Sequence, residues 1–265
     1  TIGYDHIDTE YCREAGITWT NCPGCNAGSV EQYVHAALLL LKRQKGLRLE
    51  NATLGVVGVG HVGSRVARMA KDLGMRVLLN DPPRADKGET GFVDLATIAR
   101  ECDVITFHTP LNREGKFCTF HLANEHFFGE LKRTPYIINS SRGEVVDTEA
   151  LLIALSEGRV KDAVIDTWEN EPDVNRDLLD SAFLATPHIA GYSADGKANA
   201  TRMSLEALCR FFDIHEKFCI SLPLLSTLAV RLSAALLRHI SRSFNCSPCL
   251  GFINSVLWPD FSFSH

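Results

Sequence analysis

Apolar residues fall along the chain in two alternating rhythms. Short runs that read as buried strands occupy 53–57, 76–80, 104–107, 136–139, 162–165 and 183–185. Between them lie stretches with apolar positions three and four apart, the spacing of one helix face. Residues 29–45 show it most clearly, with Val30, Tyr33, Val34, Ala37, Leu38 and Leu41 on one stripe. Residues 61–73 repeat it with Val62, Val66, Met69, Ala70 and Leu73, and helices are expected near 95–101, 124–131, 148–157 and 195–212. Strand and helix in alternation predict an α/β fold, a doubly wound parallel sheet. After Phe212 the rhythm fades. The last 53 residues hold seven charged residues, and only 224–240 reads as an amphipathic helix.

Composition narrows the function class. The chain has 265 residues, 45% of them hydrophobic and 22% charged, with a net charge of −5. That balance excludes disorder, and it offers no basic field for nucleic acid and no polybasic membrane anchor. No apolar run reaches the roughly 18 residues of a membrane span. The first residues, beginning Thr1, Ile2, Gly3, carry no signal pattern and read like the middle of a protein. Nine scattered cysteines without a secretion signal point to reduced thiols and a cytoplasmic location. Two C-x-x-C pairs, Cys22 with Cys25 and Cys246 with Cys249, admit a redox or zinc reading. They lie too far apart to form one four-thiolate site, so no metal is expected.

The chemistry-bearing motif is Gly58, Gly60 and Gly63 in G-x-G-x-x-G, after a strand and opening a helix. The first glycine permits the tight turn, the second lets backbone approach a pyrophosphate, and the third lets helix and strand pack. His61 and Val62 fall at the helix N-terminus, where free N–H groups face phosphate oxygens. Asp81, 18 residues beyond Gly63, ends the next strand. There it would accept the adenosine ribose hydroxyls and disfavour a 2′-phosphate, which selects NAD over NADP. Arg84, three residues on, pulls the other way. Three further residues follow putative strands: Arg142, Glu171 and His188. Ligands of open α/β sheets bind at those carboxyl ends, and an Arg, an acid and a base together suit hydride transfer on a hydroxy acid.

Residues 1–212 resemble the D-2-hydroxyacid dehydrogenase family. The resemblance rests on the three glycines, on Ser141, Arg142 and Gly143, on the segment 166–172, and on Pro187, His188 and Ile189. It implies that Arg142 binds the substrate carboxylate, His188 takes the hydroxyl proton and Glu171 orients His188. It also implies cofactor contacts from Thr109, Ser140, Ser141, Arg142, Asp166 and Gly191, a substrate contact from Tyr192, and a structural role for His108. Segments 81–88, 107–111 and 188–197 narrow the implied substrate to a phosphorylated 2-hydroxy acid. The phosphoglycerate and glyoxylate types are alternatives within the family, and a non-catalytic NAD-binding protein is one outside it. The resemblance divides the chain into a remnant of a flavodoxin-like substrate lobe (1–21, its last helix and strand), an NAD-binding domain (22–192), a returning helix (193–212) and an atypical tail (213–265). It places Cys22 and Cys25 on the segment entering an interdomain helix, and it implies a homodimer. With most of the lobe lacking, weak or absent turnover is expected.

Overall fold

The computed structural model describes residues 2–4, 6–215 and 220. The expected helix at 224–240 and the Cys246–Cys249 pair lie outside them. Six strands form one parallel sheet: β1 (Thr53–Val57), β2 (Arg76–Asn80), β3 (Val104–Phe107), β4 (Tyr136–Asn139), β5 (Asp162–Ile165) and β6 (Leu184–Ala185). The spatial order is β2-β1-β3-β4-β5-β6. The order reverses between β1 and β3, and that reversal opens a crevice at the carboxyl edge of the sheet.

Strand side chains alternate between two cores, as the pleat requires. On one face Val104, Tyr136, Ile138 and Val164 pack under helices α2 (Ala27–Lys45) and α3 (His61–Asp72). On the other, Ile105, Phe107, Ile137 and Ile165 meet Ile98, Phe128, Leu151 and Leu178. Those four belong to α5 (Leu95–Glu101), α6 (Glu125–Gly129), α7 (Thr148–Ser156) and α8 (Arg176–Ser181). Cover on both faces explains the continuous apolar runs of the strands.

Short elements depart from the sequence pattern. Helix α4 (Pro82–Asp86) and α8 are too brief for a helical period, and each is set by its cap. The Asp81 carboxylate accepts the Arg84 N–H, and the Asn175 side chain accepts the Leu178 N–H. In the first 21 residues the expected helix forms as α1 (Thr9–Glu14), with no buried residue. The expected strand does not: residues 17–22 are irregular, with no neighbouring strand to pair with among the described residues. Helix α9 (Ala194–Phe211) returns along α2.

Candidate active site

At the β1–α3 turn the glycines are needed for space. Gly58 has φ 85°, and a Cβ there would lie 2.7 Å from the His108 carbonyl oxygen. A Cβ on Gly63 would overlap the Gly58 carbonyl oxygen. Gly60 is different: a Cβ would meet nothing within 4 Å, so this backbone borders open space. His61 and Val62 begin α3, where the first N–H groups have no intrahelical acceptor. Asp81 is buried, and its carboxylate accepts the Val59 N–H at 2.8 Å and the Arg84 N–H at 3.1 Å. Arg84 is turned away from a phosphate role. Its guanidinium donates to the Val59 carbonyl at 2.7 Å, pairs with Glu89 and covers the Phe92 ring.

Beyond this turn, Thr109 follows β3 and Ser140 follows β4. The hydroxyls of both are buried without a protein partner. A buried hydroxyl left unpaired costs about 1–3 kcal/mol, so two of them beside one crevice call for a ligand. Ser141 is turned inward, donating from Oγ to Asn139 Oδ1 at 2.9 Å, and Asn139 Nδ2 donates to the Arg142 carbonyl at 2.9 Å. His108 bonds Thr106 Oγ1 through Nε2 at 3.0 Å, and burial pushes its imidazole pKa down to about 3. Its ring is neutral.

His188, Glu171 and Arg142 come together from three separate strand ends. His188 Nδ1 lies 2.9 Å from Glu171 Oε2, while Glu171 Oε1 accepts the Trp168 N–H at 2.9 Å. The bond to Glu171 raises the His188 pKa above the ordinary histidine value, against the effect of partial burial. Partial burial works to raise the Glu171 carboxyl, but the bonds from His188 and Trp168 outweigh it and hold the carboxyl low. Arg142 is near enough to act electrostatically on both, and its guanidinium donates to the Ser141 carbonyl at 2.8 Å.

Asp166 is completely buried, and protein donors occupy both its oxygens. Oδ1 accepts Thr186 Oγ1 at 2.6 Å and the Ile189 N–H at 2.8 Å, and Oδ2 accepts the Ala190 N–H at 2.9 Å. Its carboxylate thus folds the loop carrying His188, whose φ of 53° is held by N–H bonds to the Asp166 and Thr186 carbonyls. Gly191 makes room for Asn26, the N-cap residue of α2; Asn26 Nδ2 donates to the Gly191 carbonyl at 3.1 Å. Tyr192 is 66% exposed, with Lys197 Nζ 3.6 Å above its ring. Cys22 is buried and bonds Ala200 and Ser204 of α9 through Sγ, and burial raises the neighbouring Cys25 thiol. Among the described residues no cluster of three His, Cys, Asp or Glu side chains is arranged for a metal ion.

A family model described as "D-isomer specific 2-hydroxyacid dehydrogenase, NAD binding domain" matches residues 27–190, more than half of the chain. The chain belongs to this family. An erythronate-4-phosphate dehydrogenase of Bacteroides fragilis is 60% identical over 224 residues, covering 84% of this chain and 64% of that protein. One from Porphyromonas gingivalis is 48% identical, covering 86% of this chain and 61% of its own length. The chain therefore spans less than two thirds of these curated relatives. Among solved structures, D-lactate dehydrogenase from Aquifex aeolicus, complexed with NAD and lactic acid, superposes with a TM-score of 0.68. It is 29% identical and covers 80% of this chain and 74% of that one.

As a family member, the chain has a crevice that fits a dinucleotide: an acid at Asp81 after β2, open backbone at Gly60 after β1, and two orphaned hydroxyls after β3 and β4. Sequence reasoning missed one cluster beside it. His121 lies between two carboxylates, Nε2 at 2.7 Å from Glu169 Oε1 and Nδ1 at 3.3 Å from Asp147 Oδ2. No local motif marks it, since 26 and 48 residues separate His121 from its partners. Asn26 and Asn139, which brace the loops bearing Gly191 and Arg142, were equally silent.

Proposed function

We propose that the chain carries the NAD-dependent oxidation of 4-phospho-D-erythronate to (R)-3-hydroxy-2-oxo-4-phosphooxybutanoate, a step of pyridoxal phosphate synthesis. The observation that carries the reading is the 2.9 Å His188–Glu171 pair beside Arg142 at the carboxyl edge of an NAD-binding sheet. The name shared by the curated relatives supports the substrate. Arg142 holds the substrate carboxylate with its planar fork of donors. Glu171 occupies His188 Nδ1, so Nε2 is the atom left to take the C2 hydroxyl proton. When bound, the nicotinamide supplies the acceptor for the C2 hydride. Gly58, Gly60, Gly63, His61 and Val62 cradle the pyrophosphate, Asp81 takes the ribose hydroxyls, and Thr109 and Ser140 give their unused hydroxyls to the cofactor. Asp166 and Ser141 act by holding the His188 and Arg142 loops, Gly191 shapes the nicotinamide side and Tyr192 reaches toward substrate. Segment 1–21 serves as part of a substrate lobe, and the enzyme works in the cytoplasm as a homodimer.

The test is NADH formation by this chain with 4-phospho-D-erythronate, against 3-phospho-D-glycerate. Selective turnover of the first is the expected result. Selective turnover of phosphoglycerate would overturn the substrate assignment. NAD binding with no turnover of either would reduce the chain to a cofactor-binding domain.

A further inference from the structure

Four non-glycine residues among those described have positive φ: His121 (48°), Asn170 (58°), His188 (53°) and Asp213 (53°). Such backbone costs free energy and persists where surrounding contacts enforce it, commonly at functional sites. Three of the four meet around one loop, the segment 166–172. Glu169 and Glu171 flank the strained Asn170. Glu171 reaches His188, and Glu169 reaches His121 at 2.7 Å. The other Glu169 oxygen accepts the Thr148 N–H at the start of α7 at 2.9 Å, and Asp147 caps the same helix. His121 also donates its own N–H to the Glu144 carbonyl at 2.7 Å, two residues past Arg142. Its ring stacks on Phe120 at 4.0 Å, over which Arg113 lies while paired with Glu144. One residue therefore joins the loop after β3, the segment after Arg142 and the loop of Glu171.

We infer that His121 is a positioning residue: by clasping Glu169 it holds the 166–172 loop so that Glu171 stays against His188 Nδ1. The inference rests on the reading of His188 as proton acceptor, but not on the identity of the substrate. The charged groups acting on His188 are Glu171, Asp166 and Arg142; those on His121 are Glu169 and Asp147.

The test reads the His188 imidazole titration by NMR in the free chain carrying His121→Phe, which keeps the ring stack and loses both polar contacts. Positioning and direct electrostatics predict opposite signs. If Glu171 is released, the His188 midpoint falls toward the ordinary value of about 6.5. If His121 acts only as a nearby charge, its removal leaves two carboxylates less compensated, and the midpoint rises or stays. A fall in a variant that still binds NADH is the expected result. An unchanged or raised midpoint overturns the inference. Should His121→Phe fail to fold, His121→Asn, which adopts positive φ more readily, gives the same reading. Failure of both to fold would make His121 a fold anchor and overturn the positioning role. Where turnover is measurable, kcat falls on the order of 10- to 10²-fold with KM for NAD unchanged. A falling midpoint in a chain that does not oxidise phosphoerythronate would keep this inference and remove the proposed substrate.

Discussion

At the glycine-turn end of the crevice, shape is made by atoms that are absent. Gly58 and Gly63 allow backbone to touch backbone, and Gly60 leaves a surface with nothing above it. Charge enters through Asp81 on the Val59 N–H and through Arg84 on the Val59 carbonyl. At the other end, His188, Glu171 and Arg142 are large, polar and contributed by three distant segments. Their geometry depends on supporting bonds from Asp166, Asn139 and Trp168. The first end is built once and fails by steric overlap. The second is adjustable and fails through lost orientation or changed protonation, so the two respond to different perturbations.

The harshest break is Gly63→Val. Its side chain must displace the Gly58 carbonyl, which is backbone and cannot rotate aside. Overpacking usually costs about 1–3 kcal/mol, and a clash with backbone lies at the upper end or beyond. Thermal unfolding should show a large loss of stability, and fluorescence titration should show loss of NADH binding. His188→Asn separates the ends cleanly: kcat/KM should drop by roughly 10²- to 10⁴-fold, the worth of a general base, while NADH affinity stays. Turnover near the original rate would sink the assignment of the base.

Glu171→Gln is subtler and directional. A raised His188 pKa keeps the imidazole protonated to higher pH, and only the neutral ring accepts a proton, so oxidation increases as pH rises through that raised value. Removing the carboxylate should move the acid limb of kcat/KM to lower pH and lower its plateau. The same sign governs stability. The pair's contribution through His188 is complete below the unfolded histidine value and is lost as pH rises through the folded one. Smallest is Thr109→Val, which removes an unpaired buried hydroxyl without changing volume. The free chain should melt slightly higher, while NAD binding weakens by less than about tenfold, the worth of one hydrogen bond.

The same contrast governs what could be read from the chain alone. Strands β1 to β5 are short continuous apolar runs, helices α2 and α3 carry long helical periods, and the glycine turn is contiguous, so fold and glycine turn were legible together. The His188 end was legible as residue types, because Arg142, Glu171 and His188 each follow a strand. Its supports were not. Burial spends Asp166 on protein donors, Ser141 turns toward Asn139, and His121 meets carboxylates far along the chain. Such pairings appear only once the sheet has brought strand ends together. Helices α4 and α8 stayed hidden because a cap and one turn leave no period to detect. The expected strand near residue 20 failed because a strand needs a neighbour, and local pattern does not supply one.

A buried path of hydroxyls runs between α2 and the His188 loop. Thr186 Oγ1 has one hydrogen and gives it to Asp166, so Tyr33, 2.7 Å away, must be the donor to Thr186. The path then has a direction, imposed by the negative charge at its end. Protonating Asp166 would let both hydroxyls turn round. A phenol on a long helix is thus a remote reporter of whether a carboxylate with no exposed surface carries its charge. Its O–H vibration should shift when Asp166→Asn removes that charge.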